Sequence, residues 1–212
     1  MPQSRNFPEP EPKGHVALGA NVASPAGTPD CTLVAALEEL ARGPIRITRI
    51  SRFYRTPCMP AGAGPDFVNA VVGIETGLDP DAVLDRLHAI EAMFGRTRGA
   101  RWSARTLDLD LLDLGGLIRP DADTQTAWRE LPPEVQARDA PERLILPHPR
   151  LQDRAFVLVP LAEIAPDWRH PILGITAQEM LAALPEDEKA AICPISGGCA
   201  GVSSLVKGFE TQ

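Results

Sequence analysis

The chain has 212 residues, of which 44% are hydrophobic and 23% are charged, a composition ordinary for a soluble protein with one core. Its net charge of −7 argues against a general nucleic-acid binder, because affinity for phosphate backbones requires an excess of cations. The sequence contains neither a run of 18 apolar residues nor the apolar core of a signal peptide, so we expect a cytoplasmic protein that does not enter a membrane.

The first half of the chain predicts the order strand, helix, strand, strand. Residues 1–13 hold four prolines and little that could be buried, so we expect a disordered leader. The apolar run His15–Asn21 ends in a turn, as a strand does. A helix is predicted over Asp30–Arg42, capped by its first residue. The segments 45–56 and 67–76 are rich in β-branched and aromatic residues and predict two further strands.

The second half of the chain predicts a helix, a strand and then further helices. These segments are a helix at 80–94, a strand at 106–113, a polar excursion at 119–140, helices at 157–164 and 176–184, and a flexible tail at 185–212. Together the two halves predict an α+β fold with a ferredoxin-like βαββαβ core. C-terminal helices and a short extra hairpin would be added to this core, and the domain would span residues 14–184.

The stretch 95–113 concentrates charged residues of both signs. Its first part is a Gly- and Ser-rich loop that carries four arginines and a tryptophan, namely Arg96, Arg98, Arg101, Arg105 and Trp102. In its second part Asp108 and Asp110 alternate with leucines, so both carboxylates share one face of a strand. At roughly 6 to 7 Å and an effective dielectric of ~20, their repulsion is about 2 to 3 kcal/mol. A Mg²⁺ ion, polyphosphate oxygens and guanidinium groups would offset it, whereas the plainer interpretation is a solvated strand face.

Three further residues are candidates for a functional site. Asn69 is the one polar residue of an apolar stretch and must form a hydrogen bond if it is buried. Glu91 lies in the last turn of a predicted helix, where the helix dipole disfavours an acid. His148 stands between two prolines and therefore lies in a rigid turn. No P-loop or dinucleotide-binding motif is present, so side chains must bind any phosphate.

Six segments in a fixed order resemble the 6-hydroxymethyl-7,8-dihydropterin pyrophosphokinase family, between His15 and about Leu184. They are RWSARTLDLDLL at 101–112, GAN at 19–21, FYRTP at 53–57, PDFVNAVV at 65–72, IE at 90–91 and LPHPRLQDRAFVL at 146–158. The family transfers the β,γ-pyrophosphate of ATP to the hydroxymethyl group of a pterin in folate biosynthesis. The excursion over residues 121–140 is longer here than in compact members of the family, and its role is open.

The resemblance implies a role for each matching position. Asp108 and Asp110 would hold two Mg²⁺ ions that bridge the triphosphate, and Arg96 and Arg105 would neutralise charge that develops during the transfer. The ATP contacts would be Glu91, Arg98, Trp102, Leu111, Arg143, Ile145, His148 and Arg154, with the main chain near Leu111 and Ile145 facing adenine. The pterin contacts would be Thr56, Pro57, Met59, Phe67, Asn69, Trp102 and Phe156.

Two other functions compete with this one. A different Mg²⁺-dependent phosphoryl or nucleotidyl transferase on a ferredoxin-like scaffold would share the two aspartates but would not need the aromatic pocket. A non-enzymatic module would use the arginine-rich loop only to bind an anionic partner. We expect the pyrophosphokinase, acting as a monomer on small-molecule substrates without nucleic acid or membrane partners.

Overall fold

A computed structural model describes residues 12–58, 64–96 and 105–196 of the chain. These ranges contain a six-stranded sheet in which every pairing is antiparallel. The strands are β1 (Lys13–Ala20), β2 (Arg46–Ile50), β3 (Tyr54–Thr56), β4 (Phe67–Glu75), β5 (Asp108–Leu114) and β6 (Cys193–Pro194). Their order is β5-β1-β4-β3-β6, and β2 also pairs with β4.

Helices cover both faces of the sheet. The helices are α1 (Pro29–Ala41), α2 (Pro80–Met93), α3 (Ala122–Arg129), α4 (Pro133–Arg138), α5 (Ala155–Ile164), α6 (Ala177–Ala183) and α7 (Glu186–Ala190), and a short 3₁₀ turn covers Leu151–Asp153. Helices α1 and α2 share a core with Val16 and Leu18 of β1. Helices α5 and α6 share a second core with Val71 and Leu112, which point to the opposite face. The fold is α+β, as predicted, and its sheet lies between two layers of helices.

The topology is the predicted βαββαβ order with one interruption. The single strand expected over 45–56 is divided into β2 and β3, which lie beside β4 in succession. The division occurs at Ser51, whose hydroxyl accepts the Val71 N–H at 3.0 Å and so replaces a main-chain partner in the ladder. The strand continues at Tyr54 after this side-chain bond.

Three local expectations differ from the structure. Helix α1 starts one residue before Asp30, because Pro29 occupies its first turn, and Thr28 is the N-cap residue. The excursion after β5, whose segment LPPEVQARDAP at 131–141 predicts either a short helix or an irregular excursion, contains α4 in that segment and an additional helix, α3, before it. Short antiparallel bridges, Ser24 to Gly27 and Arg119 to Leu146, stand in place of the extra hairpin.

The chain ends differ from the expected leader and tail wherever the structure describes them. Lys13 already belongs to β1. Residues 185–196 include α7 and β6, and the Ile195 N–H donates to the Phe53 carbonyl at 2.8 Å. The expectation of a flexible tail is therefore wrong for residues 185–196, since β6 pairs with β3 at the edge of the sheet. Residues 1–11 and 197–212 lie outside the described part of the chain.

The helices in the described ranges include none that is both long and apolar enough to cross a membrane.

Candidate active site

Strand β5 brings the two predicted carboxylates to the sheet face opposite α1 and α2. Asp108 pairs with Gly19 of β1 and Asp110 pairs with Ala17, so both side chains point to the α5 side. Leu109 lies between them and is buried on the other face. The predicted alternation is therefore confirmed as far as Leu112.

The alternation is broken between Leu112 and Asp113. The pairing of β5 with β1 shifts register between His15 and Val16, so that Leu112 is the extra residue. Leu112 packs beneath α5 on the same face as the two aspartates, as the alternation requires. The extra residue brings Asp113, which pairs with His15, to that face as well, where it accepts the Trp168 Nε1–H.

Asp108 lies between two arginines. Its Oδ1 is 2.5 Å from Arg96 Nη1, and its Oδ2 contacts Arg105 Nη1. Burial and the negative charge of Asp110 raise the pKa of Asp108, whereas Arg105 and Arg96 oppose that shift. Asp110 is more exposed and lies 3.8 Å from Arg154 Nη1. Three of the predicted site arginines in the described ranges thus converge on the two carboxylates.

Glu91 connects α2 to β5 and to this arginine cluster. Its carboxylate is 4% exposed, accepts the Leu109 N–H at 2.7 Å and contacts Arg96 Nη1. Burial raises the pKa of Glu91 to about 7, against the opposing effects of the Leu109 hydrogen bond and the Arg96 charge. Burial opposes the charge of Arg96 as well, but Asp108 and Glu91 outweigh it and raise the Arg96 pKa. Arg96 therefore bridges Glu91 and Asp108, and a contact of Glu91 with ATP stays a prediction.

Asn21 is a residue whose role sequence reasoning missed. The sequence assigns it no role beyond the turn after β1 and membership of the GAN segment, yet its Oδ1 accepts the Arg105 N–H at 2.8 Å. Its own N–H donates to the Arg105 carbonyl at 3.0 Å, and its Nδ2 donates to the Pro65 carbonyl at 3.2 Å. The buried amide thereby fixes the backbone of Arg105 beside β5. The signal available in the sequence was its place directly after Gly19-Ala20 in the GAN segment.

Three of the residues predicted to contact a pterin, Thr56, Phe67 and Asn69, lie on β3 and β4, on the same sheet face as Asp108. Asn69 pairs across the sheet with Gly19, which itself pairs with Asp108. The Asn69 side chain donates from Nδ2 to Thr56 Oγ1 at 2.7 Å. A Cβ atom on Gly19 would lie 2.7 Å from Asn69 Oδ1, so the amide occupies the space that this glycine leaves open. Phe67 pairs with Thr56 at the end of the same two strands.

The turn at Pro147–Arg154 brings His148 towards the carboxylates. The His148 N–H donates to the Leu112 carbonyl of β5 at 2.8 Å. Its ring Nδ1 accepts the Arg150 N–H at 3.1 Å, so the ring proton of the neutral imidazole is on Nε2. Burial, with a contribution from Arg154, lowers the pKa of His148 to about 3. His148 is therefore a neutral hydrogen-bond donor near neutral pH and not a cation.

Helix α5 begins beside this turn and carries an exposed aromatic ring. Phe156 is 38% exposed in spite of its size. The Arg154 guanidinium lies 5.6 Å from the centre of the Phe156 ring and 3.8 Å from Asp110. Because α5 packs on β4 and β3, Phe156 stands at the end of the helix that covers the sheet face of Asn69. An exposed ring in this position is available to stack on a flat ligand.

The remaining predicted residues divide into two groups. Arg98, Trp102 and Met59 lie outside the described residues. Of the others, Leu111 and Ile145 are buried, so only their main chain could face adenine, while Pro57 and Arg143 are exposed.

The residues present suit a divalent cation only with help from a substrate. Asp108 and Asp110 supply hard carboxylate oxygens. Among the described residues, however, no group of three or more His, Cys, Asp or Glu side chains could enclose a metal ion. Oxygens from a bound phosphate chain would have to complete the coordination, as is usual for Mg²⁺ at phosphoryl-transfer sites.

Comparison with known proteins gives a consistent result. Residues 15–166 match the family model of 7,8-dihydro-6-hydroxymethylpterin-pyrophosphokinase. A 2-amino-4-hydroxy-6-hydroxymethyldihydropteridine pyrophosphokinase of Pseudomonas aeruginosa is 40% identical over 172 residues, which are 81% of this chain and 91% of the relative. A Bacillus subtilis protein of the same name is 35% identical over 150 residues, 71% of this chain and 76% of that protein.

Solved structures show the same fold. An HPPK-DHPS protein in complex with substrates has a TM-score of 0.58 at 15% identity, over 82% of this chain and 43% of that one. Wild-type Plasmodium falciparum HPPK-DHPS has a TM-score of 0.57 at 15% identity, over 81% of this chain and 41% of that one. The chain thus spans less than half the length of these HPPK-DHPS chains.

Proposed function

The chain belongs to the 7,8-dihydro-6-hydroxymethylpterin-pyrophosphokinase family, and we propose that the cluster of Arg96, Arg105, Asp108 and Asp110 is its catalytic centre. The protein is an ATP-dependent diphosphotransferase that transfers pyrophosphate from ATP to 6-hydroxymethyl-7,8-dihydropterin in folate biosynthesis. The reaction yields AMP and the pterin diphosphate. The position of Asp108 between Arg96 and Arg105 is the single observation that carries the assignment of the centre.

Asp108 and Asp110 are the proposed holders of two Mg²⁺ ions. Their shared face supports this. Burial raises the pKa of Asp108, and the nearby charge of Asp110 adds to the shift, as expected of two carboxylates at one site. Bound Mg²⁺ would neutralise phosphate charge and favour the in-line geometry of the transfer. The negative charge of Asp108 is itself neutralised by its contacts with Arg96 and Arg105.

Arg96 and Arg105 would contact phosphate oxygens and stabilise the charge that develops between the transferred group and AMP. Both are held by other residues of the chain. Glu91 contacts the Arg96 guanidinium, and Asn21 fixes the Arg105 backbone. Pre-positioned guanidinium groups need little reorganisation when charge develops, which is the physical basis of this form of catalysis.

The pterin would bind between β3, β4 and the start of α5. Asn69, held by Thr56, would recognise the polar edge of the ring, and Phe67 and Phe156 would contact its faces. By the family resemblance, Pro57, Met59 and Trp102 would complete the proposed pocket. The short distance across the sheet from Asn69 to Asp108, through Gly19, supports placing the pterin hydroxymethyl group close to the catalytic centre.

The nucleotide would bind along the turn that contains His148 and Arg154. The Nε2–H of His148 and the Arg154 guanidinium are suited to phosphate oxygens, the first as a neutral donor and the second as a cation. Glu91, Arg98, Arg143 and Trp102 would take part as well, with adenine near the main chain of Leu111 and Ile145. We also propose that the protein acts as a cytoplasmic monomer.

Replacement of Asp110 by asparagine tests the proposed centre. We expect at least about a 100-fold loss of turnover, because a lost metal ligand removes several kcal/mol of transition-state stabilisation. The assay is AMP formation from ATP, Mg²⁺ and 6-hydroxymethyl-7,8-dihydropterin. Asp123→Asn, on the exposed first turn of α3, is the matched control and should retain full activity. An Asp110→Asn protein with wild-type turnover would refute the centre, whereas release of ADP in place of AMP would refute the reaction.

A further inference from the structure

The excursion between β5 and the His148 turn is fixed at its two ends. The Arg119 N–H donates to the Leu146 carbonyl at 2.9 Å, and the Leu146 N–H donates to the Arg119 carbonyl at 3.1 Å. These two bonds bring the start and the end of the excursion together directly before Pro147. Helix α3 therefore lies beside the turn that carries His148 and not at a distance from it.

Gln125 is the residue of α3 that reaches this turn. Its side chain is fully buried, and its Nε2 donates to the Pro147 carbonyl at 3.2 Å. Burying an amide is unfavourable unless it forms hydrogen bonds, and a polar residue is unusual at a position with no exposure. Apolar packing alone would be better served by leucine or methionine, so the hydrogen bond to Pro147 is the feature that glutamine adds.

The carbonyl that Gln125 binds belongs to the same peptide group as the His148 N–H. That N–H donates to Leu112 of β5 at 2.8 Å. Both polar atoms of one planar peptide are thus held, the oxygen from α3 and the nitrogen from β5. Rotation of this plane would break both bonds, so the two contacts together set the direction in which His148 leaves the turn.

The orientation of the His148 ring is set by a third contact. Its Nδ1 accepts the Arg150 N–H, so Nε2 carries the proton and is the atom left for a ligand. With the peptide and the ring both fixed, the donor is pre-positioned before the nucleotide binds. Pre-positioning of this kind improves affinity by reducing the ordering that binding would otherwise require.

We propose that Gln125 is a positioning residue for ATP binding, which holds the Pro147–His148 peptide so that the His148 Nε2–H meets the triphosphate. The proposal rests on the proposed nucleotide role of His148. The excursion would then have a function in the reaction, because its helix α3 would hold the turn that binds the nucleotide in a fixed position. Gln125 itself touches neither substrate.

The excursion also lies close to a second predicted nucleotide residue. Asp121 caps α3 by accepting the Thr124 N–H at 2.8 Å and the Thr124 hydroxyl at 2.9 Å. These hydrogen bonds, with a further contribution from Arg143, lower the pKa of Asp121. The capped end of α3 is thus near enough to Arg143 for its charge to act on Asp121, while Gln125 of the same helix binds the His148 turn.

Gln125→Met preserves side-chain volume and removes the donor. We expect KM for ATP to rise about fivefold, the size of effect typical of one lost hydrogen bond, while KM for the pterin changes less than about twofold. Ala127→Gly, at an exposed position of the same helix, destabilises α3 without removing the contact and is the control. An equal rise in KM for ATP in Ala127→Gly would overturn the proposal, because loss of helix stability would then explain the effect.

A double-mutant cycle with His148→Ala separates this proposal from the function on which it rests. If Gln125 acts through His148, Gln125→Met should add no further loss in the His148→Ala background. An additive loss would overturn the positioning role, as would an unchanged KM for ATP in Gln125→Met when His148→Ala raises it. An unchanged KM for ATP in His148→Ala would instead refute the nucleotide role of His148, and the proposal with it.

A measurement on the unmodified protein keeps the proposal testable if Gln125→Met fails to fold. Nitrogen-15 NMR of the His148 ring should show a single tautomer with the proton on Nε2, both before and after addition of a non-hydrolysable ATP analogue with Mg²⁺. A proton on Nδ1, or a mixture of tautomers in the free protein, would contradict a pre-positioned donor.

Discussion

Replacing Glu91 by glutamine removes a buried charge and keeps an acceptor for the Leu109 N–H. The pKa of Glu91 is raised from its ordinary 4.5 to about 7, mainly by burial. Between these two pH values the folded protein holds this proton more tightly than the unfolded chain does, so the stability that Glu91 contributes is lost as pH rises through this range. Because the carboxylate is 4% exposed, solvent screening is small. From pH 5 to pH 8 the loss is roughly 2 to 3 kcal/mol.

Urea denaturation at pH 5, 6, 7 and 8, with a chelator present to remove divalent cations, measures this loss. The free energy of unfolding should fall by roughly 2 to 3 kcal/mol more in the wild type than in Glu91→Gln over that range. Glu142→Gln, at an exposed position, controls for the general effect of removing a carboxylate and should follow the wild type. If the free energy of unfolding changed equally with pH in the wild type and in Glu91→Gln, ionisation of the buried Glu91 carboxylate could not be the cause of the loss.

Three further outcomes follow from the described contacts. Gly19→Ala should raise KM for the pterin about tenfold and leave KM for ATP unchanged in steady-state assays, because the new Cβ would lie 2.7 Å from Asn69 Oδ1 and displace the amide. Phe156→Ala should weaken pterin binding about tenfold by calorimetry with little change in melting temperature, since the ring is 38% exposed. Asp113→Ala should lower the free energy of unfolding by about 1 to 3 kcal/mol, because the Trp168 Nε1–H that Asp113 accepts at 3.1 Å loses its partner. The first expectation would be contradicted by an unchanged pterin KM in Gly19→Ala, and the second by a wild-type pterin affinity in Phe156→Ala. An unaltered urea midpoint in Asp113→Ala would contradict the third.

The two-residue alternation around Asp108 is sufficient to predict that the two carboxylates of the proposed catalytic centre share a face. It depends only on the geometry of one strand, and a short segment of sequence determines it. The same holds for the apolar faces of α1 and α2 and for the strand and helix order of the core. Patterns of this kind are local, and tertiary packing here preserved them.

These patterns could not predict the hydrogen bonds and strand pairings that join segments distant in the sequence. Nothing in the periodicity of α2 indicates that Glu91 accepts the Leu109 N–H, or that Asn21 holds the backbone of Arg105. The break at Ser51 depends on a hydroxyl that meets Val71 on the neighbouring strand. Strand β6 forms only because its partner β3 presents an open edge.

The sequence by itself therefore determined the class of fold, the shared face of Asp108 and Asp110 and, through the resemblance to a family, the chemistry. Only the tertiary structure decided which groups hold those side chains in place, including the contact of Gln125 with the peptide before His148. The physical reason is that periodicity records which face of a segment is buried, whereas a hydrogen bond between distant segments depends on how whole layers pack. A buried glutamine in a polar excursion has no local pattern to distinguish it until the neighbouring turn is in place.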